Sequence, residues 1–323
     1  MSIGTDPVVS IVVVSYNTRE MTLACLASVH EQTTVPFELI VVDNASGDGS
    51  AEAIAERFPE VELIAEDVNH GFGPAHRLAL ARATAPLVLL LNPDTVVLDR
   101  AIDRLIGFAR RTPEAGIWGG RTLYADGSLN PTSCFARMTL GSILCRVLGL
   151  NGLFPTSSLF NSEYYGRWPR DTEREVDIVT GCFLLMHRRD WDRLGGFDDA
   201  FVMFGEEVDL CLRARRAGMA PRVTPEATIV HHGGASEPVR AERMVQLMRA
   251  KVLVLRRHLP RWQRPLGVAL FRLWPWSRAL SSKVVRRGSG PVWDELWARR
   301  EEWWDGWPEQ PAPHDEAALL PVR

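Results

Sequence analysis

The chain has 323 residues, 46% of them hydrophobic, and a formal net charge of -3. That content excludes a disordered chain and suffices for a large core, at the upper end for one domain. The small net charge excludes a global electrostatic grip on nucleic acid. The five cysteines, Cys25, Cys134, Cys145, Cys182 and Cys211, are odd in number and show no C-x-x-C spacing. They read as buried thiols of a reducing compartment, not as a disulfide framework or a zinc site. The first residues lack a basic leader and run into a strand, so no signal peptide is expected. No run of about 18 apolar residues points to a membrane span.

Residues 8–15 (VVSIVVVS) are expected as a strand buried on both faces. Residues 18–32 place Met21, Leu23, Leu26 and Val29 at helical spacing. Residues 37–42 predict a second strand that ends at Asp43 and Asn44. A helix over 50–58, a strand over 61–65 and a helix over 74–83 follow. Residues 86–91 predict a fourth strand, ending at Asn92, Pro93 and Asp94. This alternation predicts βαβ crossovers, a parallel sheet, and functional residues at the carboxyl ends of the strands. After a helix at 101–111, residues 121–169 are rich in Gly, Pro, Ser and Asn and read as loops and short strands around a pocket. Residues 176–187 return to strand, 207–217 to helix, and 227–230 to a short strand closed by His231, His232, Gly233 and Gly234. Residues 236–287 are helix-like and basic, opposed only by Glu237 and Glu242, with Trp262, Phe271, Trp274 and Trp276 interleaved. The tail after 291 is acidic and Trp-rich.

Asp43 with Asn44, and Asp94, each end a buried strand at the sheet edge where ligands bind. Such a carboxylate either holds a ribose, base or divalent cation, or merely caps the next helix. Neither G-x-G-x-x-G nor G-x-x-x-x-G-K-[ST] occurs, so a bound nucleotide would need a metal and side chains for its pyrophosphate. Gly47 to Ser50 could be only a turn. Glu206, Glu207 and Asp209 open a helix, where acids suit the dipole. Their crowding can also raise a pKa and create a general base. His231, after a strand, is either structural or a metal ligand.

Seven segments stand in a telling order: 9–17 (VSIVVVSYN), 41–50 (VVDNASGDGS), 69–73 (NHGFG), 90–95 (LLNPDT), 195–197 (GGF), 205–210 (GEEVDL) and 231–234 (HHGG). In that order the chain resembles the family-2 glycosyltransferases, and within them the rhamnosyltransferase-like branch, over about residues 8–236. The resemblance implies an α/β, GT-A fold: a Rossmann-like nucleotide-sugar-binding sheet with an appended acceptor-binding half. The donor half would cover about 1–120 and the acceptor half about 121–235. A helical extension, 236–323, would follow. The resemblance also implies displacement with inversion at the anomeric carbon. Ser15, Tyr16 and Asn17 lie where the family lines the nucleoside pocket. Asp43, beside Asn44, matches the acid that contacts base or ribose. Asn69, Gly71, Phe72, Gly73 and Asn92 fall in donor-binding motifs. Asp94 matches the last acid of the metal-binding D-x-D-type motif and His231 a metal-binding histidine, which implies Mg²⁺ or Mn²⁺. Glu207 matches the catalytic base, with Glu206 and Asp209 orienting it or the acceptor.

Three departures bear on these roles. The base position holds Glu207 where the family has Asp, which makes Glu206 a rival base. The D-x-D motif has one carboxylate, in Asn92-Pro93-Asp94. Where the family often has Asn-Asn, His76-Arg77 could bring a cation to a donor phosphate or only meet solvent. The leading donor is dTDP-rhamnose, with galactofuranose, N-acetylhexosamine and glucose donors as alternatives. The acceptor would be a lipid-linked or cell-surface glycan, or a small natural product. The basic segment 236–287 suits contact with the cytoplasmic face of a membrane, or packs back on the core. A non-catalytic sugar-nucleotide-binding or scaffold role is opposed by intact Asp94, Glu207 and His231.

Overall fold

The computed structural model describes residues 6–233, 240–284 and 290–308. The first half alternates as the sequence demands: β1 (Val9–Ser15), α1 (Arg19–Gln32), β2 (Phe37–Asn44), α2 (Ser50–Arg57), β3 (Glu62–Glu66), α3 (Phe72–Leu80) and β4 (Leu87–Leu91). Then come β5 (Thr95–Val97), α4 (Ala101–Arg111), β6 (Ile117–Leu123), β7 (Leu129–Asn130), β8 (Cys134–Phe135), α5 (Leu140–Val147) and α6 (Leu150–Leu153). The next elements are β9 (Arg174–Glu175), β10 (Ile178–Val179), β11 (Phe183–His187), α7 (Arg188–Leu194), α8 (Glu206–Arg216) and β12 (Arg222–His231). Helices α9 (Arg240–His258), α10 (Arg264–Val284), α11 (Gly290–Ala298) and α12 (Arg300–Trp303) follow.

One mixed sheet organises the fold, in the order β3-β2-β1-β4-β11-β6-β12-β5. β1 pairs in parallel with both β2 and β4, while β11 runs antiparallel between β4 and β6. Alternating side chains of β1 feed two cores. Val9, Ile11 and Val13 pack with α1, α2 and α4 on one face. Val12 and Val14 pack with α3, α7 and α8 on the other. The sheet is therefore covered on both sides, and the free room lies beyond its strand ends, where Asp43, Asp94 and His231 sit.

The second half departs from the expectation in three places. Residues 121–169 hold a helix, α5, started by a reciprocal capping box between Thr139 and Ser142. The expected strand over 176–187 is broken, because Thr180, Gly181 and Cys182 separate β10 from β11. The expected short strand at 227–230 is one end of β12, which begins at Arg222 and carries a register shift between Val223 and Thr228.

The C-terminal helices fold back on the body. Ala250, Leu253 and Val254 of α9 pack against Ala200, Phe201 and Leu212. Its Val245, Met248 and Val252 join Ile143 of α5, Phe271 and Trp274 of α10, Leu296 of α11, and Trp303. The tryptophans of 293–307 thus close a helical layer; Trp303 and Trp307 are buried. Segment 236–287 is helical as expected among its described residues, but it is a wall of the domain and not a free arm. All five cysteines are free thiols and four are buried.

Candidate active site

The loops at the strand ends are stitched together by asparagines and aspartates. Asn17 adopts a left-handed φ of 52°. Its backbone N–H donates to Ser46 Oγ at 2.9 Å, and its Oδ1 accepts from the Gly47 N–H at 2.8 Å. Asp48 accepts the N–H groups of Arg19 and Ser50, so it caps the starts of both α1 and α2. Asn44 Oδ1 accepts the His70 N–H, and Asn44 Nδ2 donates to Asn69 Oδ1 at 2.9 Å. Asn69 Oδ1 also accepts the Gly71 N–H. Gly71, at φ 82°, then turns the chain into α3. The donor-type motifs thus form one hydrogen-bonded rim.

A cavity of about 1180 Å³ opens from this rim. Small-ligand pockets typically span roughly 300–1,000 Å³, so there is room for more than one reactant. Tyr16, Asn44, Asn69, Gly71, Phe72, Asn92, Asp94, Glu206, Glu207 and His231 line it. Ser15, Asn17, Asp43, Gly73 and Asp209 are not part of that lining. Ser15 turns its hydroxyl into α1, 2.9 Å from Thr22 Oγ1 and 3.2 Å from Thr18 Oγ1. Asp43 is buried; its Oδ2 accepts the Ser46 N–H, while its Oδ1 has no hydrogen-bond partner. Gly73 packs against Phe197.

At one end of the cavity Asp94 Oδ1 lies 3.3 Å from His231 Nε2. Asp94 Oδ2 accepts the Gly233 N–H at 2.9 Å, and Asn92 Nδ2 is 3.4 Å from His231 Nε2. The antiparallel pairing of β12 with β5 sets His231 across from Thr95 and so beside Asp94. Burial acts to raise the Asp94 carboxyl, but His231 and the Gly233 amide outweigh it and hold it below the usual carboxylate range. Burial disfavours a charge on His231, yet Cys182 and Asp94 beside it raise it to about 10.

No group of three or more His, Cys, Asp or Glu side chains able to cage a metal occurs among the described residues. Asp94 and His231 offer one carboxylate and one imidazole, and His231 Nδ1 is buried without a partner. Mg²⁺ commonly takes only one or two protein carboxylates and completes its shell with phosphate oxygens and water. Once a cation displaces the proton that Cys182 and Asp94 favour on His231, the pair fits a divalent cation shared with a diphosphate, and it does not fit an all-protein cage.

Glu206 and Glu207 open α8 after Gly205, whose φ of 87° forms the cap. Glu206 is buried, with Oε2 unpartnered; Glu207 is half-buried. Burial raises both carboxyls, and the charge of Glu207 lifts Glu206 further, well above its ordinary value. Gly181, in the break between β10 and β11, sits between Glu207 and Phe72: a Cβ there would lie 3.8 Å from Glu207 Cβ and 3.9 Å from Phe72 Cε1. The strand break keeps the approach to Glu207 open.

Two expectations need correction. Asp209 does not belong to a repelling trio, because Arg213 and His258 take up its carboxylate. It accepts from Arg213 Nε and meets His258 Nε2, each at 2.7 Å. Burial opposes its ionisation, but Arg213 and His258 hold its carboxyl down at about 2. It fastens α8 to α9 and does not reach the cavity. Likewise, His76-Arg77 brings no cation to a donor phosphate. His76 is buried and pushed down to about 4, with Nδ1 at 2.8 Å from the Phe72 carbonyl. Arg77 pairs with Asp199.

Motif reading missed the wall contributed by α9. Gln246, Leu247, Ala250, Lys251, Val254, Leu255, His258 and Leu259 line the cavity at helical spacing. The i, i+4 recurrence was visible, but it could not tell which surface the stripe would cover.

Comparison with known proteins agrees with this geometry. The family model "Glycosyl transferase family 2" matches residues 10–189. An N-acetylglucosaminyl-diphospho-decaprenol L-rhamnosyltransferase of Mycobacterium tuberculosis is 30% identical over 236 residues, covering 70% of this chain and 76% of the relative. The rhamnosyltransferase WbbL of Escherichia coli is 26% identical over 207 residues, covering 61% of this chain and 73% of the relative. In fold, the chain is similar to the mannosyltransferase PcManGT of Pyrobaculum calidifontis, solved with GDP-Man and Mn²⁺. The TM-score is 0.54 at 19% identity, over 92% of this chain and 80% of that one. With its mixed α/β sheet of GT-A type, the chain belongs to glycosyl transferase family 2 and is a glycosyltransferase.

Proposed function

We propose that the chain is an inverting, metal-dependent rhamnosyltransferase. It would transfer rhamnose from dTDP-rhamnose to a hydroxyl of a lipid-linked glycan, working on the cytoplasmic face of a membrane. The observation that carries this reading is a single cavity with a cation-type pair, Asp94 and His231, and a raised carboxylate pair, Glu206 and Glu207, both on its wall. The sugar and acceptor follow the relatives, among which rhamnosyltransferases recur.

The donor's diphosphate would lie at Asp94 and His231, where bound Mg²⁺ or Mn²⁺ neutralises charge on the leaving group. Asn44 and Asn69 fix the loop beside it. Glu207 takes the proton from the acceptor hydroxyl as that oxygen attacks the anomeric carbon. Its raised carboxyl suits a proton acceptor working near neutral pH. Glu206, more deeply buried and beside the charge of Glu207, is raised the further of the two, which favours Glu207 as the group that carries the pair's charge. Inversion needs only this one base. Two carboxylates flanking a glycosidic bond would instead suit hydrolysis. A panel of nucleotide sugars, tested for thermal stabilisation with Mn²⁺, Mg²⁺ or EDTA, checks the reading. Metal-dependent stabilisation by dTDP-rhamnose is expected; selective stabilisation by another donor sinks the sugar assignment.

Membrane contact draws support from α10. No helix among the described residues is long and apolar enough to cross a membrane. Along α10 and the turn before it, Trp262, Leu266, Leu273, Trp276 and Leu280 are all exposed on one helical face. Leu144 of the packed α5, and Leu148 just after it, are exposed as well. No acidic residue occurs between Glu242 and Asp294, nor between Asp126 and Glu163. This apolar, acid-free face suits the interface of an anionic bilayer, where Trp and Leu enter and arginines stay at the headgroups. Many of the basic residues are used internally: Arg256 pairs with Asp305 and Arg257 with Asp198. The apolar stripe, more than the positive charge, is what the fold leaves free.

A further inference from the structure

The chain is almost devoid of lysine: Lys251 and Lys283 are the only two. One of them lines the cavity. Lys251 lies on the α9 wall, half-buried, with Nζ 5.9 Å from the centre of the Trp274 ring. Several of the charges around it are paired with one another, although Arg137, Arg216, Glu206 and Glu207 also line the cavity. Arg146 and Glu163 form a buried ion pair. Arg257 pairs with Asp198, Arg256 with Asp305, and His258 with Asp209. Lys251 has no hydrogen bond and no ion pair among the described residues. Burial and the neighbouring Arg146 pull its amine down to about 8, with Glu163 too committed to offset this. A half-desolvated ammonium without a counter-ion is costly unless a ligand supplies one.

The surroundings restrict what that ligand is. The diphosphate of a nucleotide sugar already has its place at Asp94 and His231. Beside Lys251 the wall is apolar: Leu247, Val254, Leu255 and Leu259 of α9, with Met138 opposite. Leu259 reaches through this wall towards α10, against Gly267 and Leu140. Glu207, Lys251 and these apolar side chains thus line one cavity, and Leu259 on its wall packs against Gly267 of α10.

We infer that Lys251 binds a phosphate group on the acceptor, and so forms an anion subsite separate from the donor's. The acceptor class it selects is a phosphate- or diphosphate-linked lipid, with its sugar toward Glu207 and its chain toward α10. This rests on the reading that the acceptor enters beside Glu207.

The test uses the full-length protein with EDTA and no donor, which keeps metal-dependent diphosphate binding at Asp94 out of the measurement. An amine-directed reagent labels Lys251 and Lys283, and mass spectrometry reads each rate, Lys283 serving as the reference. Farnesyl diphosphate is expected to slow labelling of Lys251 by about tenfold, a modest value for a charge-assisted hydrogen bond, and to leave Lys283 unchanged. Equal protection by inorganic pyrophosphate would also support the subsite and locate recognition in the phosphates alone. Equal protection by farnesol, or none by either phosphate, overturns the inference. As a second measurement, Lys251→Met should weaken farnesyl diphosphate binding about tenfold while Lys251→Arg largely retains it; unchanged affinity in Lys251→Met overturns the inference too. Because neither donor nor turnover is involved, failure here leaves the donor assignment intact. A different donor sugar, conversely, leaves the protection of Lys251 unchanged.

Discussion

Asp209 Oδ1 meets His258 Nε2 at 2.7 Å, and this contact joins the helix that carries Glu206 and Glu207 to the helix that carries Lys251. The same carboxylate accepts from Arg213 Nε, whose guanidinium reaches on to the Leu194 and Gly196 carbonyls. One buried anion therefore sets the relative position of two cavity walls.

Replacing Asp209 with Asn should be strongly destabilising. Arg213 would be left as a nearly buried cation without its carboxylate, a loss on the order of 3–5 kcal/mol. Urea unfolding at neutral pH measures it. The linkage has a definite sign. The folded carboxyl sits at about 2, below its ordinary value of 3.8. Its stabilisation is therefore complete above the unfolded value and lost as pH falls through about 2. The shift is worth about 2 kcal/mol at neutral pH, at roughly 1.4 kcal/mol per unit. Wild type should lose stability in acid faster than Asp209→Asn does. Parallel acid-denaturation curves would remove this role.

Glu207→Gln should leave nucleotide-sugar binding within about twofold and lower transfer by roughly 10²–10⁴, the usual worth of a positioned base. Single-turnover transfer, paired with donor binding by calorimetry, separates the two effects. Near-normal turnover in Glu207→Gln with loss in Glu206→Gln would move the base one residue back.

Glu206→Gln should raise stability at neutral pH. A carboxyl whose pKa is raised on folding adds stability below its unfolded value, and that contribution is lost as pH rises through the folded value. At pH 7 the buried Glu206 thus weakens the fold, and its amide does not. A gain of about 1 kcal/mol would appear as a few degrees in Tm for a chain of this size. The advantage should shrink as pH falls below 5, when wild-type Glu206 is protonated in both states. A lower Tm for the variant at neutral pH would count against a strained carboxylate pair.

The strand-end placement of Asp43, Asp94 and His231 was legible in the sequence, because each follows an apolar run whose end position is fixed by the sheet. Asp43, Asp94 and His231 needed only strand ends, and the pairing of β12 with β5 did the rest. Asp209 was misread because spacing does not name a side chain's partner: it lies three residues from Glu206, close enough to share its face, yet Arg213 one turn on and His258 from a distant helix take its carboxylate. The break at Gly181 and the wall from α9 were invisible for another reason. Nothing local marks a glycine as the gap beside Glu207, or tells a basic helix to close a cavity instead of facing solvent. The missed helix α5 did carry a local signal, the Thr139 and Ser142 capping box, in a stretch whose Gly and Pro content argued for loops.

The stripe on α10 makes a separable prediction. Trp276→Glu and Leu273→Glu alter exposed positions, so the fold should change by less than about 0.5 kcal/mol. Each places a charge where an apolar side chain would enter the interface. Flotation with anionic liposomes should fall sharply for either variant, with donor binding retained. Wild-type protein that fails to float removes the membrane assignment itself.

The cation site gives the last prediction. Among the described residues, Asp94 supplies the only carboxylate that contacts His231 at that end of the cavity, so no neighbouring acid there can stand in for it. With nucleoside diphosphate and Mn²⁺ each near a hundred times Kd, ligand binding should stabilise wild type by about 2.7 kcal/mol. That corresponds to a Tm rise of several degrees, abolished by EDTA. Asp94→Asn keeps the shape and can still meet the Gly233 N–H through its carbonyl oxygen, but it loses the charge. It should fold, show little metal-dependent shift, and lose transfer. His231→Gln should weaken the shift less, since His231 must first give up the proton held beside Asp94 before it can act as a ligand. A full metal-dependent shift in Asp94→Asn would mean that the diphosphate is held elsewhere, and that the contact of Asp94 with His231 serves only to pin β12 against β5.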